Sequence, residues 1–452
     1  MNEHSRGLRI GLLAFLGLVA FAPTLRLPFQ FDDHAYLETN PYLRRWDWPA
    51  LKHDLLPGRE GPQDFYYRPL QTLVNRLQFS AVGLKPWSYH LTNLIFHIGN
   101  AILLTELLLI LGISPLAVLA AGALFVVHPI IVSELLMVSG LPEIMCFFFS
   151  LAALLALIRQ DRPPAWAWIF YALALLSKES SLAVPVYYAI LCRLFLRPAG
   201  ENRRASWRLL IAVTLVYLGW RAWALGLAGI SIPLRTLPFF FLGRLPVILL
   251  RYAALILFPW NLHAYRLIPA VRPLWIFELA PLAIGAYAVW GKSAWTRFSL
   301  LWGFAAFIPK IPLLISGHYM LDHWAYPALP ALLVPLGILL ARGWESARMI
   351  RRRGATVACS VFLSFFIFSA QFHTRVRSND EKNYRWSLRF TRATPILFNL
   401  GLICLKTGRA VEAVSYIEPV QRLYPDDPNI RHALADAYVL AGRTADAHRL
   451  LK

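Results

Sequence analysis

Long apolar blocks alternate along this chain with short loops rich in arginine. Several blocks approach the roughly 20 residues that a helix needs to cross a hydrocarbon core, and the pattern predicts about eleven spans. They fall at 10–29, 90–111, 115–135, 143–158, 165–177, 181–196, 209–228, 274–290, 298–315, 325–342 and 355–372. One further block, 236–260, is rich in Pro and Phe and is broken by Arg244 and Arg251. It reads as re-entrant or interfacial. A crossing there would turn every later loop over and put Arg351–Arg353 on the outer side, against the bias that keeps cations in the cytoplasm. The first block follows Arg6 and Arg9 and continues into Pro23, Leu25 and Leu27. A cleaved signal would be shorter and end in small residues, so this one reads as an uncleaved span.

Composition agrees. Of 452 residues 58% are hydrophobic and 15% charged, where soluble domains run at about 45–50% and about 25%. The net charge of +20 sits in loops and not in a basic, aromatic-rich soluble domain, so nucleic-acid binding is excluded. Arg6 and Arg9, then Arg193, Arg197, Arg203, Arg204 and Arg208, then Arg348 and Arg351–Arg353 mark the cytoplasmic side. The outer side then holds 30–89, 135–142, 229–273, 316–324 and the tail after about residue 373. Cys146, Cys192, Cys359 and Cys404 have neither metal-ligand spacing nor a disulfide pattern.

The tail carries the one internal repeat. Leu400, Gly408 and Ala413 recur 34 residues on as Leu434, Gly442 and Ala447, with Pro425 closing the first unit. This is the period of a TPR helix pair. The expected organisation is a membrane domain at 1–372, a linker at 373–390 and two repeats at 391–452. Two repeats are fewer than a free-standing array needs, so the tail is either a packing appendage or a surface for an acceptor or partner.

Polar residues in or beside spans are costly, and here they gather near the outer boundary. Phe31-Asp32-Asp33-His34 directly follows the first span, and an adjacent carboxylate pair there suits a general base for a hydroxyl. The plainer reading is a hydrated loop. Tyr66-Tyr67-Arg68-Pro69 and Trp87-Ser88-Tyr89-His90 come next, with His90, Asn93 and His97 on one helical face. Asn93 and His97 suit interhelical hydrogen bonds, and His90 is placed to reach a site. His128, Glu134, Glu143 and Lys178, then Asp322, His323 and Tyr326, complete the set. Lys178 and Glu179 also read as a simple ion pair. A sugar on a polyprenyl phosphate would present its anomeric carbon at this level. Its phosphate needs cations and its acceptor a base, whereas the leaving phosphate needs no general acid, unlike the departing group in glycoside hydrolysis.

The motifs resemble the TMTC-type protein O-mannosyltransferases and their bacterial relatives, membrane glycosyltransferases of the GT-C class with C-terminal TPR repeats. The matching residues are Phe31-Asp32-Asp33 with Asn40-Pro41, Tyr67-Arg68-Pro69-Leu70, and Tyr89-His90-Leu91-Thr92-Asn93 with His97. Further on come His128-Pro129 with Glu134, Ser139-Gly140, Ser177-Lys178-Glu179 and Asp322 through Pro327. The resemblance implies an all-α polytopic GT-C-like bundle with TPR repeats, in a bacterial inner membrane. It implies inverting transfer from a polyprenyl-phosphate sugar, outside the cytoplasm, to a protein, glycan or lipid hydroxyl. It also implies an acidic base in the first outer loop, at Asp32 or Asp33. Two departures stand out. Leu141 and Pro142 replace the arginine expected after Gly140, although the acid survives as Glu143. Asp322-His323-Trp324 stands where an acid-Arg-aromatic run is usual. Arg68, Lys178, Arg244 or Arg251 would then meet the phosphate. No definite cofactor follows, and a divalent metal stays an open alternative. Two other classes compete. A non-catalytic TPR scaffold or diverged pseudoenzyme predicts that Asp32 and Asp33 tolerate substitution. A transporter would place its polar residues near the midplane.

Overall fold

Proline at the first turn of a helix gives up no hydrogen bond, and in this chain it marks one helix start after another. The helices Pro69–Val82, Pro86–Ile110 and Pro115–Val126 all open this way. Ser114 caps the last of these by accepting from the Ala117 N–H. The computed structural model describes residues 3–55, 68–159, 164–196, 201–225, 235, 237–268, 293–317 and 319–451. Helices account for most of these residues, and a two-stranded ribbon is the one sheet among them. The expected span 274–290 lies outside the described residues, as do Tyr66 and Tyr67.

Eight helices among the described residues are long and apolar enough to cross a membrane: Glu3–Arg26, Pro86–Ile110, Pro115–Leu135, Val138–Arg159, Leu237–Leu257, Ala294–Ser316, Asp322–Trp344 and Met349–Val376. The protein is an integral, multi-pass, all-α membrane protein. Two differences from the sequence pattern have clear reasons. The expected spans 165–177 and 181–196 are short helices, Ala165–Ser177 and Val184–Phe195, of 13 and 12 residues. At 1.5 Å per residue each covers only about 20 Å, and the 3-10 turn Glu179–Ala183 joins them. The block expected to be re-entrant forms the helical run Leu237–Leu257 of 21 residues, a crossing length. Its Pro246 falls in the first turn of the regular α-helix, where it breaks nothing.

Two compact units divide the chain. The first holds all eight of these helices apart from Asp322 at the start of one of them and Val376 at the end of another. Its centre is an aromatic group in which Phe125, Phe147 and His97 surround Tyr326. Small residues bring helices close: a Cβ on Gly337 would stand 2.8 Å from the Ala117 carbonyl oxygen of the neighbouring helix.

The second unit is assembled from Asn261–Ile268, His318–Asp322 and Val376–Lys452. Arg266–Leu267 pairs antiparallel with Tyr319–Met320. Asp322 holds the ribbon by accepting from Arg266 Nε at 2.7 Å and from the His263 N–H at 2.8 Å. Ser387 Oγ accepts from the Ala264 N–H, and the Trp386 indole donates to the Leu262 carbonyl. The stretch expected to be a linker is thus ordered, with Asp380–Ser387 a helix. Thr394–Lys406, Ala410–Leu423, Pro428–Leu440 and Thr444–Leu451 pack one on the next around Ala413, Leu434 and Ala447. Gly408 and Gly442, 34 residues apart, adopt φ +74° and +75°, values that suit glycine alone. At each the following N–H reaches back at 2.8 Å, from Arg409 to Cys404 and from Arg443 to Tyr438.

Candidate functional site

Two adjacent carboxylates with opposite fates open the site. Asp33 is fully buried. Its Oδ2 accepts from the N–H groups of Gln30 at 3.0 Å and Val138 at 2.9 Å, and its Oδ1 from that of Ser139 at 2.7 Å. Burial pushes its carboxyl up to about 6 even against those three donors. Asp33 therefore clamps the 30–33 turn to the turn before the helix Leu141–Arg159. Asp32 instead is exposed. Partial desolvation raises its carboxyl and the Arg68 guanidinium opposes the rise. Phe31, just before it, is held at φ +53°, a strained region for a residue with a side chain.

Arg68 precedes the helix Pro69–Val82 and acts electrostatically on Asp32, Glu134, Lys178 and Glu179. It links the exposed carboxylate to a recessed charge cluster. At the centre of that cluster Glu143, 1% exposed, accepts from Lys178 Nζ at 2.7 Å, from Ser180 Oγ at 3.1 Å and from Lys310 Nζ at 3.3 Å. Lys178 is thus paired with Glu143 and not with its neighbour Glu179. The Lys178 carbonyl is pinned in turn by Ser181 Oγ at 2.8 Å. Glu134 is buried within the field of Lys178, Lys310 and Arg68, and its Oε1 has no hydrogen-bond partner. Gly140 makes room for it, since a Cβ there would lie 2.6 Å from Glu134 Oε2.

Lys310 escaped the sequence reading. It sits between Pro309 and Pro312, at the 3-10 turn where the helix Ala294–Phe307 gives way to Ile311–Ser316. It is 4% exposed and also donates to the Trp324 carbonyl at 2.8 Å. The signal was present, because a lysine inside an apolar block is expensive.

Several expected site residues are held in the helix packing. His128 accepts from the Ile130 N–H through Nδ1 and donates through Nε2 to the Ile256 carbonyl at 2.7 Å, which uses both ring nitrogens. His90, also buried, bonds the Leu135 carbonyl through Nδ1 at 2.9 Å. Tyr326 is buried against Asn100, which donates to its hydroxyl at 2.9 Å, and His97, whose Nδ1 lies 3.0 Å away. His97 Nε2 donates to the Val126 carbonyl, so Nδ1 accepts and the tyrosine hydroxyl is spent. Asp322 is spent on Arg266 and His263 in the second unit. His323 acts electrostatically on Glu143. On the helical run Leu237–Leu257, Arg244 is half-buried and Arg251 exposed, whereas the cations in contact with Glu143 are Lys178 and Lys310.

No family model and no solved structure matches the chain. Curated relatives do. The Xenopus laevis protein O-mannosyl-transferase tmtc2 is 29% identical over 205 residues, 40% of this chain and 23% of its own. The human TMTC2 enzyme is 30% identical over 174 residues, 34% of this chain and 19% of its own. Human TMTC3 is 35% identical over 126 residues, 26% and 14% of the respective lengths. The chain thus spans less than a quarter of the length of these relatives. Over the part it shares with them, the chain is similar in sequence to the TMTC-type protein O-mannosyl-transferases.

Proposed function

We propose that this chain is a membrane glycosyltransferase that moves a sugar, mannose by analogy with the relatives' names, from a polyprenyl phosphate to a protein hydroxyl. The transfer takes place on the extracytoplasmic side with inversion at the anomeric carbon. Asp32 takes the acceptor proton as the new C–O bond forms. The bond from the anomeric carbon to the phosphate oxygen breaks, and its electron pair leaves with the phosphate toward Lys178, Lys310 and Arg68. The repeat tail presents the acceptor.

The observation that carries this reading is the pairing of an exposed carboxylate, next to a strained Phe31, with a recessed cation cluster, bridged by Arg68. A buried ion triad adds little to stability, because desolvation offsets its attraction. Chemistry is the better reason for Lys178, Glu143 and Lys310 to lie where apolar side chains would pack more cheaply. The test is transfer of radiolabelled mannose from short-chain polyprenyl-phosphate mannose to a Ser/Thr-rich peptide by the purified full chain. Asp32→Asn should lower the rate about 10²–10⁴-fold while leaving folding and donor binding intact. A fully active Asp32→Asn protein would reject the assignment.

A further inference from the structure

Transfer changes the charge that the donor site must hold. The phosphodiester enters with one negative charge, Asp32 takes up the proton, and the phosphomonoester leaves with close to two, its second pKa being about 6. A site with too few cations would not stabilise that leaving group. A site with too many would not release it.

The buried cluster holds two lysines and one carboxylate in direct contact. Glu143 gives one oxygen to Lys178 and the other to Lys310, and side-chain exposures of 13%, 1% and 4% leave little water between them. One positive charge in this trio is unbalanced. The charges around it are Arg68, Glu134, Glu179 and His323. Arg68 and Glu179 carry opposite charges and act on each other, and Glu134 is a second carboxylate in the field of both lysines, so the surroundings add nothing to the positive charge of the trio.

We propose that Glu143 is a specificity-determining residue: by occupying both Lys178 and Lys310 it lowers the positive charge of the cation site by one unit, which favours a singly charged phosphodiester and weakens the hold on the phosphomonoester product. The inference rests on the donor-site reading above. Glu143 itself neither touches the reacting carbon nor moves a proton. It sets how strongly the two lysines hold phosphate, in a setting where one unit charge a few ångströms away is worth far more than in water.

The experiment compares binding of two probes, farnesyl phosphate and farnesyl methyl phosphate, to the full-length protein in detergent at pH 7.5 by calorimetry. Wild type should bind the methyl diester at least as tightly as the monoester. Glu143→Gln should tighten monoester binding by on the order of tenfold or more with little change for the diester, and farnesyl phosphate should become a correspondingly stronger inhibitor of transfer. Lys310→Gln should shift the preference the other way, losing the monoester most, which keeps the test decisive should Glu143→Gln not fold. Wild-type binding of both probes with an unchanged preference in Glu143→Gln or Lys310→Gln would overturn the inference and leave the donor site standing. If wild type bound neither probe, the donor-site reading would fall and this inference with it.

Discussion

Replacing Asp33 by asparagine separates the two carboxylates, because it preserves shape and removes an acceptor. In the native turn three backbone N–H groups converge on the carboxylate, two on Oδ2 and one on Oδ1. The better amide orientation keeps Gln30 and Val138 on the oxygen and turns the NH2 toward the Ser139 N–H, which stood 2.7 Å from Oδ1. One buried donor is then orphaned, at a cost of about 1–3 kcal/mol. The same clamp holds Phe31 at φ +53°, a conformation that stores on the order of 1–3 kcal/mol, so a weakened clamp lets the turn relax and misplaces Asp32. Asp33→Asn should therefore lower the apparent unfolding midpoint in detergent and open the 30–34 turn to protease, with transfer lost through misplacement. Asp32→Asn should change neither midpoint nor protease resistance. An Asp33→Asn protein with native midpoint and native resistance but no transfer would make Asp33 the base and refute this division of labour.

Tyr326→Phe strips the hydroxyl from His97 and Asn100 and should cost about 1–3 kcal/mol, while the folded fraction keeps native transfer per molecule; a specific loss of turnover would return Tyr326 to the site. Gly140→Ala drives a methyl to 2.2 Å from the Glu134 carbonyl oxygen, so folded yield by size-exclusion chromatography should collapse, and a native yield would show that the turn can move. In the second unit burial lowers His263 to about 4, with Arg266 and Arg377 acting in the same direction and Asp322 against it. The unfolded imidazole titrates near 6.5, so the unit is most stable above that pH and loses stability as pH falls from about 6.5 toward 4. Amide exchange at 262–267, corrected for intrinsic rates, should lose protection over that window, and His263→Gln should flatten the dependence.

The polytopic helical character was legible because apolar length depends on the bilayer alone. Span boundaries were less so. A count of apolar residues reads 165–177 and 181–196 as two spans, because helices of 13 and 12 residues joined by the turn Glu179–Ala183 have the same apolar composition as longer ones. The carboxylate pair, Arg68, Glu134, Glu143 and Lys178 were readable as charges out of place. Their division into clamp, bridge and cluster was not, because that depends on which backbone N–H groups from residues 138 and 139 arrive at Asp33. His90, His128 and Tyr326 are tied into the helix packing for a physical reason. A polar group that is costly in a membrane is equally well explained by one good interhelical hydrogen bond. Lys310 was the converse, a costly charge whose partner lies 167 residues away in sequence.

The second unit takes loops 261–268 and 318–322 into the same body as the tail, which makes the tail a poor cassette. A truncation after residue 375 would strand the Ala264 N–H and the Leu262 carbonyl, whose partners are Ser387 and Trp386, and would uncover the His263 ring that stacks on Phe390. Swapping repeat tails between homologues would fail for the same reason unless both loops travelled with the graft. Any tolerable splice lies beyond Ser387 and Phe390, inside the repeats, so lineages that lengthen or shorten the array would be expected to do so from its far end.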